Sequence, residues 1–303
     1  MPSAAFNLPG RDAAISVHET PSASPVAENC VVALHYLCAA TACSRAHGKD
    51  CCATGRCRNA EDADEGRSSR ARGGAKFSEA REAAIAKVLT HRGIAGEVVS
   101  VASGDQTFLA LLTAPPKSIA PHGAVLLLPH VQGAVSDPLV LALAAAPPAS
   151  GWLTMVMQPP AGAASMPVDA KNVLCARITA SLKFLQARGA LPIVLVGVGR
   201  SFELSRACFA DQTPAEIAGW VGLGRWQGEL TAAQTSLLDI PPTADPVALR
   251  AAHQRAAKAA TRAQSTYRQI PIDALDERFD GAEQEIAKRL RGWLNQLPRK
   301  PQA

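Results

Sequence analysis

The stretch Ile193-Val-Leu-Val-Gly197-Val198-Gly199-Arg200-Ser201 decides the fold class of this chain. It opens with four residues that are β-branched or leucine, a composition that favours a buried strand. Two glycines then stand where the backbone needs freedom for a tight turn, and Phe202–Ala210 has the composition of a helix. The stretch therefore predicts a strand that turns sharply into a helix, which is the repeating unit of an α/β protein.

The turn has the layout of a nucleophile elbow, in which a Ser, Cys or Asp stands at the apex between small residues two positions away. Gly197 and Ser201 are the small residues here, but the apex residue is Gly199, which has no side chain. Glycine keeps the turn free of strain and removes the nucleophile. The motif predicts either a hydrolase scaffold without its attacking group or a turn in which the glycines serve the fold alone.

Two neighbours of the apex carry polar side chains. Ser201 is expected to cap the helix, with a role as a displaced nucleophile as the alternative. Arg200 lies beside the predicted helix N-terminus, where a small anion could bind. A dinucleotide site is not indicated, because Phe202 replaces the third glycine of the fingerprint, and no Gly-Lys-Ser/Thr of a P-loop is present.

Composition limits the possible function classes. The chain has 303 residues, of which 48% are hydrophobic, enough for one large α/β domain. No stretch approaches 18 consecutive apolar residues, so no membrane-spanning helix is predicted. The net charge of +5 is modest. The basic residues of the Ala-rich segment are interpreted as a solvated helix face and not as a nucleic-acid surface; they are Arg250, Arg255, Lys258 and Arg262.

The first quarter of the chain differs from the rest. Residues 1–76 are predicted to be a disordered, Cys-rich region and linker, followed by one domain over 77–297 and a tail at 298–303. The cysteines between Cys30 and Cys57 are spaced too irregularly for a zinc site, so no metal is predicted, and free thiols and disulfides stay open. Cys175 and Cys208 lie in apolar contexts and are expected to be small core residues.

Beyond residue 77, strand and helix signals alternate. Glu97–Val101 and Thr107–Thr113 predict an opening hairpin around the turn Ser103-Gly-Asp105. Repeated β-then-α units follow, which predicts a mostly parallel central sheet with helices on both faces. A Rossmann-like sheet is the competing architecture. Predicted strands are Ala124–Leu128, Leu153–Met157, Ile193–Val196, Trp220–Leu223, Ser236–Ile240 and Tyr267–Ile272, and predicted helices are Ser78–Leu89, Leu139–Ala146, Val168–Arg188, Pro246–Arg262 and Gly281–Gln296.

Five segments carry a family resemblance: Gly123-Ala-Val-Leu-Leu-Leu-Pro129, the Gly151-Trp152 step, Ile193–Ser201, Tyr267-Arg268-Gln269 and Leu290-Arg-Gly-Trp-Leu294. Through their order and spacing, the chain from about Phe77 to Leu297 resembles a bacterial family of unknown function within the α/β-hydrolase superfamily. The resemblance implies an α/β-hydrolase fold and no particular substrate. It also implies export to the periplasm or cell envelope. A cytoplasmic location is the alternative, because Val31–Cys43 resembles only a degraded export signal.

The superfamily's catalytic relay maps incompletely onto this sequence. Its nucleophile falls at Gly199, and its acid falls at Asp245, in the loop after a late strand. Its histidine would lie in the loop after the last strand, where Glu277 or Asp276 stands and no histidine is present. A Ser-His-Asp relay needs all three members in one hydrogen-bonded series. The loop Pro129-His-Val-Gln-Gly133 is the candidate oxyanion side.

The sequence therefore predicts a pseudo-hydrolase that binds a small-molecule or protein ligand without a cofactor or metal. The residues expected to line its cleft are His130, Gln132, Gly199 and Arg200. Two alternatives stay open. One is an atypical esterase or other hydrolase that uses Ser201, and the other is a structural or interaction protein.

Overall fold

The computed structural model describes residues 79–119, 121–160, 168–228, 236–261 and 266–297. The predictions for residues 1–76, which include the cysteine cluster and the export-like Val31–Cys43, lie outside the described residues, as does the tail at 298–303. The boundaries of the domain at 77 and 297 stay predictions.

An antiparallel hairpin opens the described part of the chain. Strand β1 (Glu97–Ser103) pairs with β2 (Gln106–Thr113), with Val98 opposite Leu111 and Val101 opposite Phe108. Gly104 makes the turn at φ 60°, a conformation that favours glycine. The predicted hairpin is confirmed.

Six more strands extend this hairpin into an eight-stranded sheet of order β1-β2-β4-β3-β5-β6-β7-β8. Strand β2 is antiparallel to β4, and every pairing from β4 to β8 is parallel. Central strands β3, β4 and β5 are buried along their whole length, as expected for a sheet covered on both faces. The strands are β3 (Gly123–Leu128), β4 (Trp152–Met157), β5 (Ile193–Val198), β6 (Ile217–Leu223), β7 (Ser236–Ile240) and β8 (Tyr267–Gln269).

Helices cover both faces of the sheet. Helix α1 (residues 79–91), α2 (Pro138–Ala145) and α6 (Glu283–Leu294) pack on one face. Helices α3 (Val168–Ala187), α4 (Arg200–Ala207) and α5 (Pro246–Ala260) pack on the other. A short 3-10 helix at Pro147–Ser150 follows α2. This confirms the predicted mostly parallel sheet between two helical layers. None of the helices in the described ranges is long and apolar enough to cross a membrane.

Strand β8 is shorter than the predicted Tyr267–Ile272, because Pro271 has no N–H to donate to a neighbouring strand. Beyond the strand, Ile272 forms a single bridge with Pro242. The chain is then free to fold over the carboxyl ends of the strands, which are the functional edge of open α/β sheets.

The expectation that Cys175 and Cys208 are small core residues is wrong, because both are half-buried and they are bonded to each other. They form a disulfide with a Cα–Cα distance of 5.5 Å, which joins α3 to the C-terminal end of α4. The two helices pack side by side on the same face of the sheet, so the cysteines meet although 33 residues separate them. No local sequence pattern marks such a pairing.

The interpretation of the basic residues of α5 as a solvated face is wrong for Arg255, which is only 5% exposed. Its Nε donates to Asp239 Oδ2 at 2.9 Å, and its guanidinium lies 3.7 Å from the centre of the Trp226 ring. Tyr267 also donates to Asp239. Burial, and then the charge of Asp239, raise the pKa of Tyr267 above its ordinary value.

Candidate functional site

The junction of β5 and α4 keeps the backbone of an elbow. Gly199 lies between them at φ 52° and ψ −126°, and its N–H donates to the Leu223 carbonyl at 2.7 Å. A residue with a side chain would be strained in this conformation. Gly197 is required by close packing, since a Cβ there would lie 2.6 Å from Phe202 Cα. The apex therefore has the geometry of the motif and no group to attack with.

Ser201 is fully buried in the first turn of α4. Its hydroxyl donates to the Pro129 carbonyl at 2.5 Å, so it ties α4 to the chain that leaves β3. The expectation that Ser201 caps the helix is wrong, because Gly199 is the N-cap residue and Ser201 bonds to another segment. The buried hydroxyl does not face the surface above the apex.

Glu277 occupies the space beside the apex. A Cβ built on Gly199 would lie 2.5 Å from Glu277 Oε2, and one built on Gly224 would lie 2.5 Å from Glu277 Cβ. Both glycines have positive φ, and they follow the adjacent strands β5 and β6. The carboxylate thus lies where the side chain of a nucleophile would project, and two glycines leave room for it.

His130 is paired with this carboxylate. Its Nε2 lies 3.2 Å from Glu277 Oε1, and the side chains are 30% and 32% exposed. The Gln132 N–H donates to His130 Nδ1 at 3.3 Å. An Nδ1 that accepts a hydrogen bond leaves the imidazole proton on Nε2, the nitrogen that lies nearest Glu277. The two side chains form a close polar pair, called the dyad below, that solvent can reach.

The loop that carries His130 is held by its neighbours. Arg81 of α1 donates to the carbonyls of Gln132 and Gly133 at 3.3 and 3.0 Å. The Gln158 side chain accepts from the Val135 N–H at 3.1 Å. These bonds use the loop's backbone groups and fix the direction from which the imidazole approaches Glu277.

The other predicted site residues lie apart from the dyad or at its margin. Asp245 is the N-cap of α5, where it accepts from the N–H groups of Val247 and Ala248 at 2.9 and 3.0 Å. The side chains of Gln132 and Arg200 are exposed. Within the described ranges, no group of three or more His, Cys, Asp or Glu side chains is arranged to hold a metal ion.

Comparisons with known proteins bear on the fold. No protein-family model matches the chain, and no curated protein matches its sequence. Among solved structures, a dienelactone hydrolase from Anabaena variabilis is similar at a TM-score of 0.55 and 16% identity, over 67% of this chain and 98% of that one. The chain has the α/β-hydrolase fold.

Two further structures with this fold are similar. An α/β serine hydrolase without a lid from Xanthomonas campestris has a TM-score of 0.54 and 15% identity, over 68% of this chain and 97% of that one. A protein of unknown function from Agrobacterium tumefaciens has a TM-score of 0.51 and 18% identity, over 67% and 100% of the two chains. Identities this low establish the α/β-hydrolase fold and leave the activity open.

Sequence reasoning named Gly199, His130 and Glu277 separately and missed that they meet. The dyad joins the loop after β3 to the loop after β8, which are more than a hundred residues apart in the chain. The one available signal was an acidic residue at the position where the α/β-hydrolase relay has its histidine. That signal carries no information on the direction of the Glu277 side chain.

Proposed function

We propose that this chain is an α/β-hydrolase-fold protein that has lost serine-type acyl transfer and binds a small-molecule or protein ligand above Gly199. The observation that carries the proposal is the position of Glu277 Oε2, which lies 2.5 Å from where an apex Cβ would be. A carboxylate there, with His130 Nε2 3.2 Å away, replaces the attacking group by a polar anchor. The proposal includes membership of the bacterial family of unknown function that the motifs resemble.

The polar groups of the dyad suit a ligand that donates hydrogen bonds. A carboxylate can accept several hydrogen bonds, and one third of the Glu277 side chain is exposed. A hydroxyl or amine of a ligand can therefore reach the carboxylate. Arg200 and Gln132 are exposed and would contact the outer part of such a ligand.

The alternative that Ser201 is a displaced nucleophile has less support. Its hydroxyl is buried and donates a hydrogen bond to the Pro129 carbonyl, whereas the hydroxyl of an activated serine donates a hydrogen bond to a base. Asp245 is likewise engaged at the N-terminus of α5. These contacts favour a binding role over a relay rebuilt from the same residues.

Two assays test the loss of acyl transfer. One measures labelling by a fluorophosphonate probe, and the other measures turnover of short-chain p-nitrophenyl esters and of a dienelactone. We expect no labelling and no turnover above buffer for the native chain. The double variant Gly199→Ser/Glu277→His supplies a hydroxyl and an imidazole at the apex and should be labelled at position 199. Labelling of the native chain that disappears in Ser201→Ala would contradict the proposal.

A thermal-shift screen of small hydroxyl and amine compounds tests the binding role, since a ligand that prefers the folded state raises the midpoint of unfolding. Stabilisation by a compound should be lost in Glu277→Gln and in His130→Ala. The matched control is Asp276→Asn, which alters the neighbouring carboxylate on the same loop. Stabilisation that persists in both dyad variants would count against a ligand above Gly199.

A second candidate function follows from the dyad itself. Glu277 could act as a general base that takes a proton from water as the water oxygen bonds to a carbonyl carbon, and then returns it to the leaving alkoxide. His130 would hold the carboxylate in place. Turnover of an ester that is unaffected by fluorophosphonate and falls at least about a hundredfold in Glu277→Gln would favour this function over binding alone.

The Cys175–Cys208 disulfide supports an extracytoplasmic location as part of the proposal, because disulfides persist mainly in oxidising compartments. Alkylation of the protein under denaturing conditions, directly after cell lysis in acid, measures the redox state of these thiols. Complete modification of Cys175 and Cys208 without prior reduction would contradict this location.

A further inference from the structure

A groove runs between the edge strand β8 and helix α6, and it shares no lining residue with the dyad. Its volume is about 380 Å³, within the range of small-molecule sites. Arg268 of β8 lines one side, and Lys288, Arg291 and Gly292 of α6 line the other. The segments Tyr267-Arg268-Gln269 and Leu290–Leu294, which the site above leaves unused, both contribute to it.

The groove concentrates positive charge. Arg268, Lys288 and Arg291 are all exposed, and none of the three forms an ion pair with another described residue. Arg289, at the rim, is paired with Glu285 at 2.6 Å. Among the described residues that line the groove, none carries a carboxylate. Three positive charges around a small volume repel one another and attract an anion.

One of these cations is held in position. Arg268 Nη1 donates to Gln296 Oε1 at 2.7 Å, which orients the guanidinium between β8 and the end of α6. A guanidinium whose direction is set loses less conformational freedom on binding than a free side chain does.

Gly292 provides the open floor of the groove. A glycine inside a helix costs roughly 0.5–1 kcal/mol of stability relative to alanine. Neither packing nor backbone conformation accounts for it, because a Cβ at this position would meet no atom within 4 Å and Gly292 is not among the glycines with positive φ. The absence of a side chain at Gly292 leaves this part of the groove open.

The groove also has an apolar side, formed by Ile270 and Trp293. Trp293 is 6% exposed, and its ring reaches under the sheet to Gly219, where a Cβ would lie 2.8 Å from Cη2. The Trp293 ring is therefore mostly packed into the core, and only its edge is open to the groove. A ligand with a ring or a short apolar part can lie against it while its anionic group faces the cations.

We propose that this groove binds a small organic phosphate. The phosphate would be held by Arg268, Arg291 and Lys288, because guanidinium forks and an ammonium group match its several acceptor oxygens. The organic part would lie over Gly292 against Ile270 and Trp293. A nucleic-acid strand fits less well, because it needs a basic path longer than this short groove.

Isothermal titration of the full chain at low salt tests this site with phenyl phosphate as the probe. The two comparison compounds are inorganic phosphate, which has the anionic group without a ring, and benzyl alcohol, which has the ring without an anionic group. We expect phenyl phosphate to bind more tightly than inorganic phosphate, and benzyl alcohol not to bind. Absence of phenyl phosphate binding at millimolar concentration would overturn the proposal, as would equal affinity for phenyl phosphate and benzyl alcohol.

Two variants locate the binding. Arg268→Gln/Arg291→Gln should weaken the affinity for phenyl phosphate at least about tenfold, since each lost charge-assisted hydrogen bond is worth more than a factor of ten. Gly292→Gln keeps the three cations and fills the floor, and it should weaken binding similarly. Arg250→Gln, at an exposed position of α5, is the control with the same loss of charge. Unchanged affinity in both groove variants, with circular dichroism showing that they are folded, would overturn the site.

Discussion

At the scale of single residues, the centre of this molecule is defined by a carboxylate and the two glycines that leave room for it. Glu277 approaches Gly199 through Oε2 and Gly224 through Cβ, and neither position has space for a methyl group. The same carboxylate lies 3.2 Å from His130 Nε2. Any residue other than glycine would be strained at position 199. The replacement of Gly199 therefore combines the energy of backbone strain with that of a steric clash.

The two costs at Gly199 can be separated. We expect Gly199→Ala to lower the free energy of unfolding by about 1–3 kcal/mol from backbone strain, with a further loss from contact with Glu277. In a Glu277→Ala background the strain and the contact with His130 Cδ2, 3.1 Å from the added Cβ, should remain, so the loss should be smaller. Urea unfolding measures both, and Gly104→Ala, at φ 60° with open space around it, controls for the strain alone. Equal losses in the two backgrounds would show that Glu277 does not occupy the apex space.

At the scale of elements, the helix ends decide which acidic groups are available for chemistry. Asp245 caps α5 through two backbone N–H groups. Helix α4 begins at the glycine apex with no side-chain cap. The carboxylate assigned to the relay by analogy is thus part of a helix terminus, and the carboxylate near the elbow comes from the loop after β8.

The capping role of Asp245 predicts a specific pattern of stability. Asp245→Ala should cost about 1 kcal/mol, because two N–H groups lose their acceptor. Asp245→Asn should be close to the native chain, since asparagine caps as well as aspartate does. Thermal unfolding at neutral pH measures both variants. Equal destabilisation by Ala and Asn would mean that the charge of Asp245, and not its cap, matters.

At the scale of the whole molecule, buried ion pairs connect the layers. Asp239 of β7 is fully buried and receives Arg255 of α5, with the Arg255 Nη2 to Asp239 Oδ2 distance at 2.8 Å. A second pair, Arg177 with Glu82 at 2.8 Å, joins α3 to α1. Both pairs link elements that are far apart in sequence, so they form only when the sheet is assembled.

Breaking the Asp239 pair should affect the entire fold. We expect Arg255→Met to cost about 3–5 kcal/mol, because it leaves a buried carboxylate without its cation. Arg255→Met/Asp239→Leu should recover part of the loss, since no unpaired charge remains. Urea unfolding measures both variants. Arg278→Met, which removes an exposed pair with Asp276, should leave stability nearly unchanged. A double variant less stable than Arg255→Met alone would contradict this account.

How much could be predicted from the sequence depended on whether the signal was local. The strands and helices followed from periodicity and from Gly and Pro, so most predicted bounds lie within a few residues of those in the structure. The Cys175–Cys208 disulfide and the burial of Arg255 gave no local signal, because each depends on a partner from another element. The glycine at the apex could be identified from the sequence, but the position of the Glu277 carboxylate beside it could not.

The sequence by itself determined the α/β architecture and the absence of a nucleophile at Gly199, because hydrophobic period and side-chain identity are local properties. Only the tertiary structure decided what stands in the nucleophile's place. The loop after β8 folds back across the ends of β5 and β6, and Glu277 meets His130 there because the parallel strands bring distant loops to one edge of the sheet. The stretch Ile193–Ser201 determines the turn, and the rest of the fold determines which polar side chains lie beside it.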